Sequence, residues 1–445
     1  MATPLQIARR KRRWSQRRLA WELTRLAGLK GLSIATPASL VIQISRWENG
    51  HITPVFYQPL LCELYDSTPE DLGFGYQPSP EHSVPGSCVK NDLLAKAKWD
   101  QDDVAALSAE FDSALAKSSV DEIDSLAHQW LISSPPQIIA LDAGRRIGHS
   151  LVSTVEHRVI QLRRADDFLS GRDSHLLVNK ELQATLHLLR EAPSSTDAEA
   201  RNLLIAVGEL SQLATWVSAD AGLYADAMRF TEGGVLAAHA AGDTPLAGNI
   251  ISTLAYQLAN TGNPHHAAVL ARTAFAGARA RATATTKALL LERIAWADAK
   301  SGDARACERT LGQVQEEFDH AKPDDDPDWV YWLNQQEIDV MAGRCYTELG
   351  KPKLAEPLLA NAIAAYDHTL ARESSLYLSW LAEDYIQLND LDQAASIATE
   401  ALELASRTNS ARTDERLRHL AKLLKPHSSV AKVAEFLDLY RSLID

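Results

Sequence analysis

Gly302-Asp303-Ala304-Arg305-Ala306-Cys307-Glu308-Arg309 (residues 302–309) sets a turn glycine five positions ahead of a small residue, Cys307, in a stretch that otherwise reads as helix. The arrangement recurs as Gly222 with Ala227, Gly262 with Ala267, Gly350 with Ala355, and Asn389 with Ala394. Successive turn residues are 40, 40, 48 and 39 positions apart. A turn residue opens the second helix of each pair, and the small residue lets that helix pack closely on its partner. Helix pairs at a near-fixed period stack into an α-solenoid. The period exceeds the roughly 34 residues of a tetratricopeptide repeat. The long step contains Lys322-Pro323-Asp324-Asp325-Asp326-Pro327-Asp328, which accounts for its extra length as a solvated insertion.

Outward from this region the chain stays helical, and the fold class expected is all-α. Residues 201–445 form the repeat domain and 89–200 a helical connecting region. Residues 76–88 form a linker containing Pro78, Pro80 and Pro85, and 1–75 a separate module. One long helix is expected over 143–169, with Ile147, Leu151, Val155, Val159 and Leu162 along its buried face. No stretch has the alternation of a strand.

The 445 residues carry a net charge of −13, unevenly spread. Residues 1–50 hold ten Lys/Arg against two Asp/Glu, a balance of +8, and the remainder carries −21. A basic head on an acidic body is the asymmetry expected when only the head meets a polyanion. Cys62, Cys88, Cys307 and Cys345 form no Cys-x-x-Cys pair, and scattered thiols suit a reducing cytosol. Met1-Ala2-Thr3-Pro4 leads straight into a basic helix, and no apolar run reaches about 18 residues. A cytoplasmic protein without a membrane span is therefore expected.

The head reads as short helices. Thr3–Arg13 is the first. Ser15 caps a second whose Leu19, Ala20, Leu23 and Leu26 share a face. Thr36-Pro37 opens a third that runs to about Trp47 and closes at Asn49-Gly50. Val55–Tyr65 is a fourth, and Thr68-Pro69-Glu70-Asp71 starts a short fifth.

Ser15-Gln16-Arg17-Arg18-Leu19-Ala20, Ile44-Ser45-Arg46-Trp47-Glu48-Asn49-Gly50, Pro54 and Thr68-Pro69-Glu70-Asp71-Leu72 occur in that order. Together they resemble the XRE (Cro/repressor-type) helix-turn-helix family over about the first sixth of the chain. The resemblance implies binding of double-stranded DNA, with the third helix in the major groove. The start of the second helix is a natural phosphate site, where Gln16, Arg17 and Arg18 sit. Ile44 and Trp47 should face the core, while Gln43 and Arg46 face the bases. By the family's pattern Arg9 pairs with Glu48 and fixes the module's geometry. Such modules read two half-sites, so a homodimer is expected. Two features depart from the family. About ten residues, Gly28–Pro37, replace the usual tight turn. Leu40, Val41 and Ile42 stand where base-reading residues are expected, suited either to thymine methyls or to the core.

The repeats resemble tetratricopeptide-like domains attached to such modules, both in peptide-sensing quorum regulators and, more closely, in a group of actinomycete regulators. Asp303–Arg309 and Ala342-Gly343-Arg344-Cys345-Tyr346 carry that likeness. The resemblance implies a sensor for a peptide, small molecule or protein effector on the concave face. Candidate lining residues are Trp296, Trp332, Tyr346, Tyr377 and Trp380, with Asn249, Asn334 and Asn361 as clamps. Aromatics at helical spacing also fill the core between repeats. A protein-interaction adaptor that does not bind DNA is the alternative reading, and the basic head argues against it.

No phosphate loop, nucleophile elbow or His-Glu-x-x-His pair is present, so neither an enzymatic activity nor a cofactor is expected. His265-His266 opens a helix without an evident third metal ligand. Asp324-Asp325-Asp326 lacks the spacing of a calcium loop.

Overall fold

The computed structural model describes residues 3–12, 14–29, 37–48, 57–65, 67, 72, 92–112, 119–139, 149–169, 171–191, 196–365, 370–407 and 410–444. They divide into two compact units, residues 1–84 and 85–445. Both are built from helices, and the larger is solenoid-like. No described helix is long and apolar enough to cross a membrane.

In the first unit the helices Pro4–Lys11, Gln16–Leu29, Pro37–Glu48 and Gln58–Tyr65 surround one core. Thr3 caps the first helix by accepting the Gln6 amide at 3.4 Å, and Ser15 caps the second by accepting that of Arg18 at 3.1 Å. Leu19, Ala20 and Leu23 are buried and Leu26 partly so, as their spacing predicts. Ile44 and Trp47 are buried from the third helix. Leu40 also belongs to this core, and Val41 packs against it. The expected fifth helix, Thr36 and Asn49-Gly50 lie outside the described residues.

The second unit contains five successive antiparallel helix pairs. They are Asp197–Asp220 with Tyr224–Ala241, Thr244–Asn260 with Pro264–Ala278, Ala284–Lys300 with Ala304–Phe318, Gln335–Glu348 with Pro352–Ala364, and Ala371–Gln387 with Leu391–Ala405. A further pair, Ala411–Leu424 and Ala431–Ile444, follows. The first helices of neighbouring pairs pack on one another along the unit. Gly222, Gly262, Gly302, Gly350 and Asn389 all adopt positive φ, between 62° and 92°. Asparagine is among the few residues with a Cβ that enter this region readily. Ala227, Ala267, Cys307, Ala355 and Ala394 are all fully buried. The five turn-plus-small motifs therefore close five helix pairs.

The helices Gln101–Asp112 and Val120–Ile132 pack against the second helices of the first two pairs. Phe111 of Gln101–Asp112 sits against Gly233, and Trp130 of Val120–Ile132 against Gly277. The helix over the expected 143–169 span is His149–Asp166, and Ile147 lies outside the described residues. Its buried face is Val152, Val155 and Val159, whereas Leu151 is 38% exposed. The buried row repeats at three and four residues, and starting it at Leu151 shifts its first member one position off the stripe.

The expectation of no strand is corrected by a short parallel pairing of Lys98–Trp99 with Ile138–Ile139. Two residues are too few to show alternation, and Trp99 is held by burial and by its indole donating to the Leu93 carbonyl at 3.1 Å. The 322–328 insertion is exposed or half-buried throughout, as expected, and the chain turns inward just after it. Asp324 and Asp325 are exposed, while Trp329 and Val330 are buried.

A Cβ at position 277 would lie 2.3 Å from the Trp130 ring. Gly277→Ala is expected to destabilise the second unit by about 1–3 kcal/mol through overpacking, despite a helix-propensity gain of about 1 kcal/mol. A denaturant melt followed by circular dichroism measures it.

Candidate functional site

In the first unit the basic surface is organised around one buried carboxylate. Glu48 accepts from Arg9 Nε at 2.5 Å and Nη2 at 2.8 Å, and from Gln16 Nε2 at 2.9 Å. Arg9 Nη1 also donates to the Trp14 carbonyl at 2.6 Å. One carboxylate thus ties together the first helix, the N-terminus of the second and the end of the third. Gln16, expected at a phosphate, gives its amide to Glu48. Arg17 is exposed, with no ion-pair partner among the described residues. Arg18 is exposed, pairs with Glu22 at 2.6 Å and lies 4.6 Å from the Trp21 ring centre. The side chains of Gln43, Arg46 and Ile42, and the connection from 30 to 36, lie outside what the structure describes.

In the second unit the first helices line a cavity of about 500 Å³, and a neighbouring lobe of about 320 Å³ shares part of its wall. Tyr256, Arg344 and Arg412 line both lobes. Of the aromatics singled out from sequence, Trp332 and Tyr377 line the larger lobe and Trp380 the smaller. Trp296 is fully buried and meets Trp380 edge-on, with ring centres 5.5 Å apart. Tyr346 is half-buried beside Cys307, Glu308 and Lys351 and lines neither lobe. Asn249 and Asn334 line the larger lobe, and Asn334 also caps the helix that follows it, accepting the Glu337 amide at 3.0 Å. Asn361 is exposed elsewhere.

Trp216, Tyr256, Arg293 and Arg344 were not singled out from sequence as lining residues. The position six before each turn residue reads Trp216, Tyr256, Trp296, Arg344 and Glu383; the position nine before reads Leu213, Thr253, Arg293, Met341 and Trp380. Trp216 stacks near Tyr256 at 6.1 Å, and Tyr256 lies 6.4 Å from Trp296. Where a fourth ring would follow, Arg344 inserts its guanidinium, 4.7 Å from the Trp296 ring centre and 5.3 Å from that of Trp380. Counting backward from the turns was the signal that would have found it.

Most charges around the cavity are paired. Arg372 meets Asp166 at 3.4 Å, Asp220 at 3.5 Å and Glu373 at 2.9 Å. Arg412 lies 3.6 Å from Asp220 and 3.9 Å from Glu373. Arg163 meets Glu209 at 3.2 Å, and Arg416 meets Glu383 at 2.6 Å. Arg293 and Arg344 differ. They are 7% and 6% exposed, and neither has a carboxylate partner among the described residues. Arg344 donates to the Tyr256 hydroxyl at 2.7 Å, and Arg293 lies 4.6 Å from the Tyr256 ring centre.

The titrations follow from these charges. Burial opposes ionisation of the Tyr256 phenol, but Arg344, Arg412 and Arg293 outweigh it and bring the group to about 7. Burial pushes Glu292 up to about 8 against the pull of Arg293. Glu292 therefore keeps its proton at neutral pH and is no counter-ion for its neighbour. Elsewhere, Asp121, Asp124 and His266 bring one ligand atom each within 4.8 Å, a third group that the sequence did not reveal. His266 Nδ1 lies 2.8 Å from Asp124 Oδ2, a hydrogen-bond contact that joins two packed helices.

No protein-family model matches the chain, and no curated protein does.

Glu48→Ala leaves a buried guanidinium and an amide without their acceptor, a loss of about 3–5 kcal/mol. Faster hydrogen exchange across Pro4–Lys11 and Gln16–Leu29, with the five helix pairs unchanged, is the expected result. Glu292 generates a second test. The folded state holds a proton that the unfolded chain releases, so stability from this group falls as pH rises from about 4.5 to about 8. Glu292→Gln should match the parent at pH 5 and exceed it by a few kcal/mol above pH 8. Thermal melts of both proteins across that range check it.

Proposed function

We propose that this chain is a DNA-binding transcriptional regulator whose helical-repeat unit senses an effector. The observation that carries the reading is the Arg9–Glu48–Gln16 network, which locks three of the described helices of the basic module into one frame. Arg9 with Glu48 is the pairing that the helix-turn-helix resemblance implies. Arg17 and the cap residue Ser15 then sit at the N-terminus of the second helix, where free amides and positive charge meet phosphate. The solenoid supplies the sensing element, a cavity of mixed polar and apolar lining within the 300–1,000 Å³ typical of small-ligand sites. Such a regulator works in the cytoplasm without a cofactor or a catalytic step, and binds its two half-sites as a homodimer.

The test is a fluorescence-anisotropy titration of the full chain against a labelled duplex from its own promoter region. Affinity should fall steeply between about 50 and 200 mM salt. Arg17→Ala should weaken binding on every sequence and lower the salt slope by about one. Arg18→Ala should do less, because Arg18 already pairs with Glu22. Absence of binding at the lower salt, or binding indifferent to salt, overturns the reading.

A further inference from the structure

Two buried guanidinium groups in the solenoid face the same cavity with no carboxylate to neutralise them. Arg293 comes from the first helix of the third pair and Arg344 from the first helix of the fourth. Both line the 500 Å³ lobe, and the Nε atom of each is buried without a hydrogen-bond partner among the described residues. The neighbouring acids are committed elsewhere. Asp166, Asp220 and Glu373 hold Arg372 and Arg412, Glu383 holds Arg416, and Glu337 accepts the Tyr377 hydroxyl at 2.6 Å. Glu292 is kept neutral by burial.

The rings around the two arginines offset part of this cost. Arg293 faces Tyr256 and Trp332, and Arg344 faces Tyr256, Trp296 and Trp380. A cation–π contact does not fill the in-plane donors of a guanidinium, which match the two oxygens of a carboxylate or phosphate. The lobe supplies both kinds of surface that a small amphipathic anion needs. The two guanidiniums and the Tyr256 hydroxyl lie near Gln212, Asn249 and Asn334, while Trp329, Trp332, Met341 and Leu376 give it an apolar side.

We infer that this cavity binds a small amphipathic ligand through an oxyanion, carboxylate or phosphate, held by Arg293 and Arg344 together. The inference rests on the sensor reading for its biological meaning, and names the chemistry of the effector. The ligand would stand in for the missing counter-ion, with its apolar part against Trp332, Met341 and Leu376. Because the arginines belong to adjacent pairs, one bound oxyanion would bridge two repeats.

The experiment uses the full chain without DNA, so it stands or falls separately from DNA binding. Thermal unfolding is followed with inorganic phosphate or octanoate as probe, against sodium chloride at equal ionic strength. Binding constants come from calorimetry. Phosphate, octanoate or both should raise the unfolding temperature saturably beyond chloride, and the arm that responds identifies the head group. Arg293→Met and Arg344→Met should each weaken that binding about tenfold or more, the factor carried by a lost charge-assisted hydrogen bond. Without probe they should melt no lower than the parent, since each removes a buried charge that has no carboxylate partner. Arg344→Lys, which keeps the charge and loses the fork, should weaken binding and serves if a methionine variant does not fold. Arg441→Gln, at an exposed ion pair near the C-terminus, should change nothing. No gain over chloride in either arm overturns the inference, and so does a gain that both cavity variants retain.

Discussion

The larger unit depends on one backbone constraint, repeated five times. A residue in the left-handed conformation reverses the chain at Gly222, Gly262, Gly302, Gly350 and Asn389, and a fully buried small residue five positions on lets the second helix lie close to the first. Since the reversal is the same each time, corresponding positions on the first helices point the same way. The aromatic run Trp216, Tyr256, Trp296 is the product of that equivalence, and so is the intrusion of Arg344 into it. A change of residue type at one position of the repeat, with no change in backbone, puts a guanidinium where the pattern supplies a ring.

The smaller unit solves a different problem. Its core is a handful of leucines with Ile44 and Trp47, and a buried ion pair is an unusual expense in so small a body. A buried pair adds little to stability against an apolar replacement, and its value lies in specifying one arrangement. Glu48 reaches three helices through two partners, so the relative rotation of those helices is set by hydrogen-bond geometry as well as by packing.

What was legible in the sequence is what depends on local chemistry. The turn residues with their small partners and the buried face of Leu19, Ala20 and Leu23 follow from spacing, the Ser15 cap from residue type, and the inward placement of Ile44 and Trp47 from the helix-turn-helix resemblance. The Lys98–Trp99 pairing with Ile138–Ile139 was too short to leave a pattern. The docking of Trp329 and Val330 was hidden by the acidic tip beside them. Charge partners were the least legible, because they lie far apart in sequence. Arg372 meets Asp166 and Asp220 across 206 and 152 positions, and no local reading indicates which arginines find an acid and which do not. Among the aromatics, type and spacing marked Trp296 and Trp380 alike, yet only Trp380 reaches the cavity surface.

The 322–334 segment has a mechanical consequence. A stack of helix pairs touches only its neighbours and flexes like a spring, since small rotations between repeats add along its length. Here Arg164 from His149–Asp166 lies over the Tyr331 ring and pairs with Asp328 at 2.8 Å, and Asp167 accepts the Tyr331 hydroxyl at 2.6 Å. This strut runs from a helix preceding the first pair to the loop preceding the fourth. Arg372 of the fifth pair and Arg412 beyond it reach back to Asp166 and Asp220 in the same way, so the coil is braced across its turns as well as along them, and winding or unwinding must break these cross-ties.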